Sequence, residues 1–435
     1  MSKKFSDTLR WLIVVVVVSF VASPAHAFSL LDPSTWLPPS FSATNPDSWP
    51  FIPIPEIATD PNGGTTVGML AAILTTDQKH EITSIMAPDL NWNTTLGPGG
   101  TFRYFNYPND DSQWFAVAGL SERIASHVEG DYATGLTRSN LLSAQFHFLY
   151  ERDPTERFFG IGNDSSFGNQ TNYTTEQVEG EALLGLNLAE NFQLALDIRP
   201  RWVRIQHGAF SNLPSTGTLF PDVKGLNGGS VFRNRLLATY DSRDSTKVPT
   251  RGTLFSFYGG FADRAFGSSV SYDEIGFEAR HYWKLSSRII LASQLTTRYV
   301  PAGNETPFWE MSWLGGDGSG EVSDFGVPLG EQTTWRGYGA GRYIDNNLVA
   351  GSIEMRTRVY ERDIFNTHGI LEVAPFVDLG QVFHDAGDNP LDVTAMHPAG
   401  GLGFRAIAMP FVVGYVDFGV ANDGLAVFSG VNYPF

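Results

Sequence analysis

The chain has 435 residues and a formal net charge of −17, with 46 acidic against 29 basic side chains. That balance excludes the basic footprint of a nucleic-acid binder. Charged residues make up only 17%, aromatics and glycines are plentiful (Phe 32, Tyr 15, Trp 10, Gly 45) and Cys is absent, so no disulfide, thiolate metal site or thiol nucleophile exists.

The first predicted element is a targeting segment. Lys3, Lys4 and Arg10 precede the apolar run WLIVVVVVSFVA at 11–22, and AHA at 25–27 places small residues where a signal peptidase cuts. Residues 1–27 are therefore expected to be a signal peptide, because the run is shorter than the roughly 20 apolar residues of a spanning helix. Residues 28–64 carry prolines at 33, 38, 39, 46, 50, 53, 55 and 61, interleaved with Trp36, Phe41, Trp49 and Phe51. Proline fixes φ and removes a donor, so this span is expected to be an extended periplasmic arm.

From residue 65 to residue 435 alternation dominates. In 349–360, Val349, Gly351, Ile353, Met355, Thr357 and Val359 share one strand face, opposite Ser352, Glu354, Arg356 and Arg358. In 275–284, Phe277, Ala279, His281 and Trp283 oppose Glu278, Arg280, Tyr282 and Lys284. In 370–383, Leu371, Val373, Val377, Leu379 and Phe383 oppose Glu372, Phe376 and Asp378.

An apolar face backed by a charged face fits either a soluble sandwich or a membrane barrel with lipid outside and a wet lumen inside. Long strands, a secretion signal and mixed-sign charge on the polar faces favour the barrel. Strands are predicted at 65–75, 80–92, 99–107, 113–130, 137–151, 172–188, 192–207, 230–240, 252–263, 270–284, 288–300, 346–359, 369–382, 398–409, 411–421 and 425–435. The expected fold is all-β: a closed antiparallel transmembrane barrel of 16 strands. Closure is required because lipid offers no partner to an open sheet edge.

Five segments in order resemble the BamA/TamA-like outer-membrane barrels, the bacterial surface-antigen family: ERFFGIGNDS (156–165), DSRDSTKVPTRG (241–252), LGG (314–316) followed by WRGYGAGRY (335–343), FVDLGQVF (376–383) and GLGFRAIAMPFVVGYVDFG (401–419). The end, FSGVNYPF, resembles that family's C-terminal assembly signal, with Gly430, Tyr433 and Phe435 in place. Two departures stand out: an insertion at 317–334, and a span between signal and first strand too short for the POTRA domains of the family's insertases.

The resemblance implies a long outer loop folded into the lumen, where Arg336 of the Arg336-Gly337-Tyr338 element meets Asp378. The parity of 370–383 independently puts Phe376 and Asp378 on the charged face, and Glu354 and Asp417 fall on lumen faces as well. Arg336 is expected to act as a structural lock, with Gly337 allowing the sharp turn.

No G-x-S-x-G, H-E-x-x-H or phosphate loop is present, and the histidines are scattered, so neither an enzyme, a metal nor a cofactor is expected. The resemblance implies outer-membrane lipids as surroundings, the barrel-assembly machinery during biogenesis, and a separate periplasmic partner in place of the missing domains. It also implies a lateral seam between first and last strands in a protein that assists insertion or translocation at a Gram-negative outer membrane. A passive or plugged channel, or a structural surface barrel, is the alternative; an outer-membrane lipid hydrolase is a third class.

Overall fold

The computed structural model describes residues 51–77, 82–301, 306–316, 335–364, 367–408, 411–430, 433 and 435. The chain divides into two units, Met1–Pro53 and Ile54–Phe435, and the second contains the sheet. The signal segment and most of the arm lie outside the described residues.

The strands in chain order begin with β1 (Ile52–Asp60), β2 (Gly64–Thr76), β3 (Ile82–Met86), β4 (Asp89–Asn93), β5 (Gly97–Asn109), β6 (Ser112–Ser121), β7 (Ser126–Thr134) and β8 (Leu142–Asp153). Next come β9 (Arg157–Phe158), β10 (Thr171–Ala189), β11 (Phe192–His207), β12 (Gly229–Asp241), β13 (Gly252–Ala262), β14 (Tyr272–Lys284) and β15 (Ile289–Tyr299). The rest are β16 (Ser312–Leu314), β17 (Tyr343–Asp345), β18 (Asn347–Ile364), β19 (Thr367–Phe383), β20 (His397–Ala408), β21 (Phe411–Ala421) and β22 (Gly424–Gly430).

Each wall strand pairs with its chain neighbour, and β22 returns antiparallel to β1 with Thr59 opposite Val427, so the sheet closes. β3 and β4 form one strand broken at Ala87–Pro88, both pairing with β2 and β5. The short β9, β16 and β17 stand apart from the wall count. Among the described residues the wall therefore has 18 strands, two more than expected.

Both extra strands have a physical cause. The span 113–130 is two strands, because the connection between Ser121 and Ser126 turns without Gly or Pro, through Ile124 at φ 73°. The first strand runs through Pro53 and Pro55, so the arm assigned to 28–64 gives up its last residues to the sheet. Proline is tolerated where a strand's N–H groups need no ladder partner.

The alternation resolves as lipid outside and ions inside. Ile353, Met355, Val377, Leu236 and Trp202 are exposed, whereas Ser352, Glu354, Arg356, Glu278, Arg280 and Asp378 are buried. Burial of so many ionic groups is tolerated only because they pair with one another. Among the described residues no helix is long and apolar enough to cross a membrane.

Candidate functional site

The connection from β15 to β18 supplies the site. Its limb Trp335–Asn346 is almost wholly buried and lies against the charged faces of β18, β19 and β21. The Leu314-Gly315-Gly316 limb pairs back on it, with the Trp335 amide donating to the Gly316 carbonyl at 2.7 Å and the Gly316 amide to the Tyr338 carbonyl at 3.0 Å.

Arg336 sits at the centre. Its Nε and Nη2 donate to Asp378 Oδ2 and Oδ1 at 3.1 and 2.9 Å, a bidentate fork, and its backbone N–H reaches Asp378 Oδ2 at 3.0 Å. Nη1 donates to Glu354 Oε2 at 2.6 Å and Asp417 Oδ2 at 3.2 Å, while Nη2 also reaches Ser352 Oγ at 3.1 Å. The Phe376 ring lies 3.6 Å from the guanidinium carbon, adding a cation–π face. Arg405 pairs with Asp417 and with Glu354 at 3.2 Å, and Arg356 Nε donates to Glu354 Oε1 at 2.8 Å. Three carboxylates thus face three guanidiniums, all fully buried. This neutrality is what makes the cluster tenable in a site of low dielectric.

Gly337 adopts φ +142°, and a Cβ there would stand 3.0 Å from the Ala421 Cβ and 3.1 Å from the Ala399 Cβ. Gly419 performs the complementary service on the wall, where a Cβ would meet the Arg336 carbonyl at 2.4 Å. Tyr338 is buried with Leu314, Trp335, Tyr343 and Leu348, and meets Tyr343 edge-on at 5.6 Å.

The same limb reaches both sides of the closing seam. Asn62, in the turn between β1 and β2, donates through Nδ2 to the Ala340 carbonyl at 2.6 Å. Arg342 pairs with Asp423, in the turn between β21 and β22. The Arg157-Phe158-Phe159-Gly160-Ile161-Gly162-Asn163 stretch backs this contact: Arg157 Nη2 donates to the Asn62 carbonyl at 2.6 Å, and the Gly162 amide to the Ile344 carbonyl at 2.8 Å.

Sequence reasoning missed a second anchor on the loop's other limb. Glu310 accepts from Arg199 Nη2 at 2.6 Å, Arg201 Nη1 at 3.0 Å and the Tyr272 hydroxyl at 2.9 Å, and its carbonyl accepts from Arg298 Nη1 at 2.9 Å. Arg298 and Arg235 also share Glu274 at 2.7 and 2.6 Å. The signal available in sequence was the inward parity of Arg199, Arg201, Glu274 and Arg298, which demanded buried partners.

Gly430 ends β22 beside the Tyr415 ring. Tyr433 and Phe435 do not prolong that strand; both are buried on the inner wall, where the Tyr433 hydroxyl donates to Glu372 at 3.0 Å. The insertion at 317–334 lies outside the described residues. Among the described residues no group of His, Asp and Glu is placed to hold a metal ion.

Residues 93–405 match the Omp85 superfamily domain. The chain belongs to the Omp85 superfamily. It is an outer-membrane β-barrel of that superfamily, resembling the BamA/TamA members anticipated from its motifs. No curated protein matches it. Among solved structures it is similar to BamA from Haemophilus ducreyi lacking POTRA domains 1-3, at 13% identity and a TM-score of 0.49, covering 88% of this chain and 75% of that one. CdiB from Escherichia coli follows at 10% identity, TM-score 0.46 and coverage of 88% and 63%. CdiB from Acinetobacter baumannii has 10% identity, TM-score 0.39 and coverage of 88% and 59%. The chain spans less than two thirds of either CdiB chain. Likenesses this distant transfer no role to any residue of this Omp85 barrel.

Proposed function

We propose that this Omp85 barrel assists the insertion or translocation of other proteins or lipids at the outer membrane through a seam between β1 and β22, with the Arg336 cluster acting as the clasp that governs it. One observation carries the reading: the Trp335–Asn346 limb is bonded at once to the first hairpin through Asn62 and to the last through Asp423, so moving the loop strains the seam. Arg336, Gly337, Tyr338, Phe376, Asp378, Glu354 and Asp417 are assigned to this clasp, and Gly430, Tyr433 and Phe435 to recognition by the assembly machinery during biogenesis. A separate periplasmic protein is the partner proposed to deliver clients.

The test is a disulfide across the seam. Directly opposed residues of an antiparallel pair lie about 4.5–5.5 Å apart at Cα, within reach of a disulfide, and the chain contains no other Cys. The double substitution T59C/V427C is expected to abolish outer-membrane protein assembly in cells dependent on this chain when oxidised, and to restore it on reduction. Full assembly with the bond closed would dismiss the lateral seam.

The plugged channel is the second reading, favoured by the two ion-paired anchors, Glu310 and Arg336, that fix the loop within the wall. Low conductance through the wild-type barrel in planar bilayers that rises in R336A, with no effect on protein assembly, would favour the plugged channel over a clasp.

A further inference from the structure

The connection between β12 and β13, residues 242–251, emerges at the same end of the barrel as the Glu190–Asn191 turn and is rigidly built. The Asp241 carboxylate accepts from Arg243 Nε and Nη2 at 3.0 and 2.9 Å. Asp244 accepts from the Thr250 and Arg251 amides at 2.8 and 3.2 Å, and Ser245 Oγ from the Lys247 and Val248 amides at 3.2 and 3.1 Å. Such local bonding makes a stiff finger out of a polar loop.

Its tip is not in solvent. Val248 is buried against Ile370 of β19, Ile407 of β20 and Tyr433, while Lys247 Nζ stands 3.9 Å above the Tyr107 ring of β5. The finger therefore crosses the mouth of the barrel and rests on the far wall. What it covers there is the end of the chain. Arg356 lies 3.7 Å over the Tyr433 ring and donates through Nη2 to the Phe435 carbonyl at 3.0 Å, and Phe435 packs on Tyr282, Ile290 and Ala292.

This placement bears on the seam. Carried onward, the Thr59–Val427 register would set Gly430 opposite Glu56 and the next residue opposite Pro55. Tyr433 and Phe435 are buried against the inner wall, and neither continues the ladder. Glu354 accepts from both Arg336 and Arg356, so the site holding Phe435 shares a carboxylate with the loop cluster.

We infer that the 242–251 finger is a latch that holds the chain end inside the lumen and thereby stops β22 from pairing along the first half of β1. The inference rests on the seam reading above for its consequence, but its test reads pairing rather than activity. Hydrogen exchange is followed on the purified full chain in lipid nanodiscs for wild type, V248D and R356Q, with V248S as the milder finger variant should V248D not fold. β1 pairs with β2 along its other edge, so only alternate amides among Ile54, Glu56, Ile57 and Ala58 face β22. Freeing the end is expected to slow exchange of those seam-facing amides about tenfold, with the amides facing β2 unchanged. Unchanged exchange at the seam-facing amides in the finger variants overturns the latch, whether or not R356Q alters them. A latch that passes while the T59C/V427C bond leaves assembly intact would separate the two proposals.

Discussion

The sharpest perturbation is R336A. The side chain donates to Asp378 twice, and to Glu354, Asp417 and Ser352. Its removal leaves Glu354, Asp378 and Asp417 facing only Arg356 and Arg405, with one buried negative charge uncompensated. Breaking a buried pair from one side costs about 3–5 kcal/mol, far beyond the roughly 0.5 kcal/mol of an ordinary surface substitution. Urea unfolding of the barrel in lipid vesicles measures it. The double variant R336A/D378N returns the cluster to two carboxylates and two guanidiniums, so it should be more stable than R336A alone. R336K should recover little, since a point charge cannot span both Asp378 oxygens and reach Glu354. A loss below about 0.5 kcal/mol for R336A, or a double variant weaker than the single one, would refute the charge-balance reasoning.

Other consequences stem from the same geometry. G337A should cost about 1–3 kcal/mol in the same unfolding assay, from strained φ and the Ala421 and Ala399 contacts. E310A leaves Arg199 and Arg201 with their longer carboxylate contacts, to Glu179 at 3.8 and 3.5 Å, and should make the loop between β15 and β18 cleavable by protease added to intact cells; resistance equal to wild type would count against the second anchor. Y433F removes one hydrogen bond to Glu372 and should cost about 1 kcal/mol. In the finger, partial burial opposes ionisation of Asp244, but hydrogen bonds from the Thr250 hydroxyl and the Thr250 and Arg251 amides outweigh it and hold the carboxyl below the usual Asp range. A depressed native pKa stabilises the finger above the unfolded value of about 3.9, and that contribution is lost as pH falls through the native value. Protection factors of the finger amides, corrected for the intrinsic exchange rate at each pH, should therefore fall on acidification below about pH 4 in wild type, and show no such step in D244N.

Much of the wall was legible because a strand in a barrel has one rule, period two, and long strands repeat it often. Glu354 and Arg356 between Ile353 and Met355 announced their faces unambiguously. Strand number was less legible. Ser121–Ser126 lacks the Gly or Pro that usually marks a turn, and Ile124 takes the positive φ instead. Pro53 and Pro55 argued locally against a strand that only closure of the sheet requires. The Arg336 cluster was reachable through family motifs together with parity, which placed its carboxylates on one face. Glu310 was not, because nothing near it in sequence signals a partner; Arg199 lies 111 residues away. The inward seat of Tyr433 and Phe435 was hidden for the same reason, since its determinants, Arg356, Glu372 and Val248, are all remote in the chain.

The orientation of the wall underlies every step, and tryptophan quenching by bromine-labelled lipid tests it most directly. Trp202 is 55% exposed on the outer face, whereas Trp309 is 2% exposed on the inner side. In single-tryptophan variants reconstituted in brominated lipid, strong quenching is expected at Trp202 and none at Trp309. Quenching of Trp309 with Trp202 untouched would turn the barrel inside out and contradict the account.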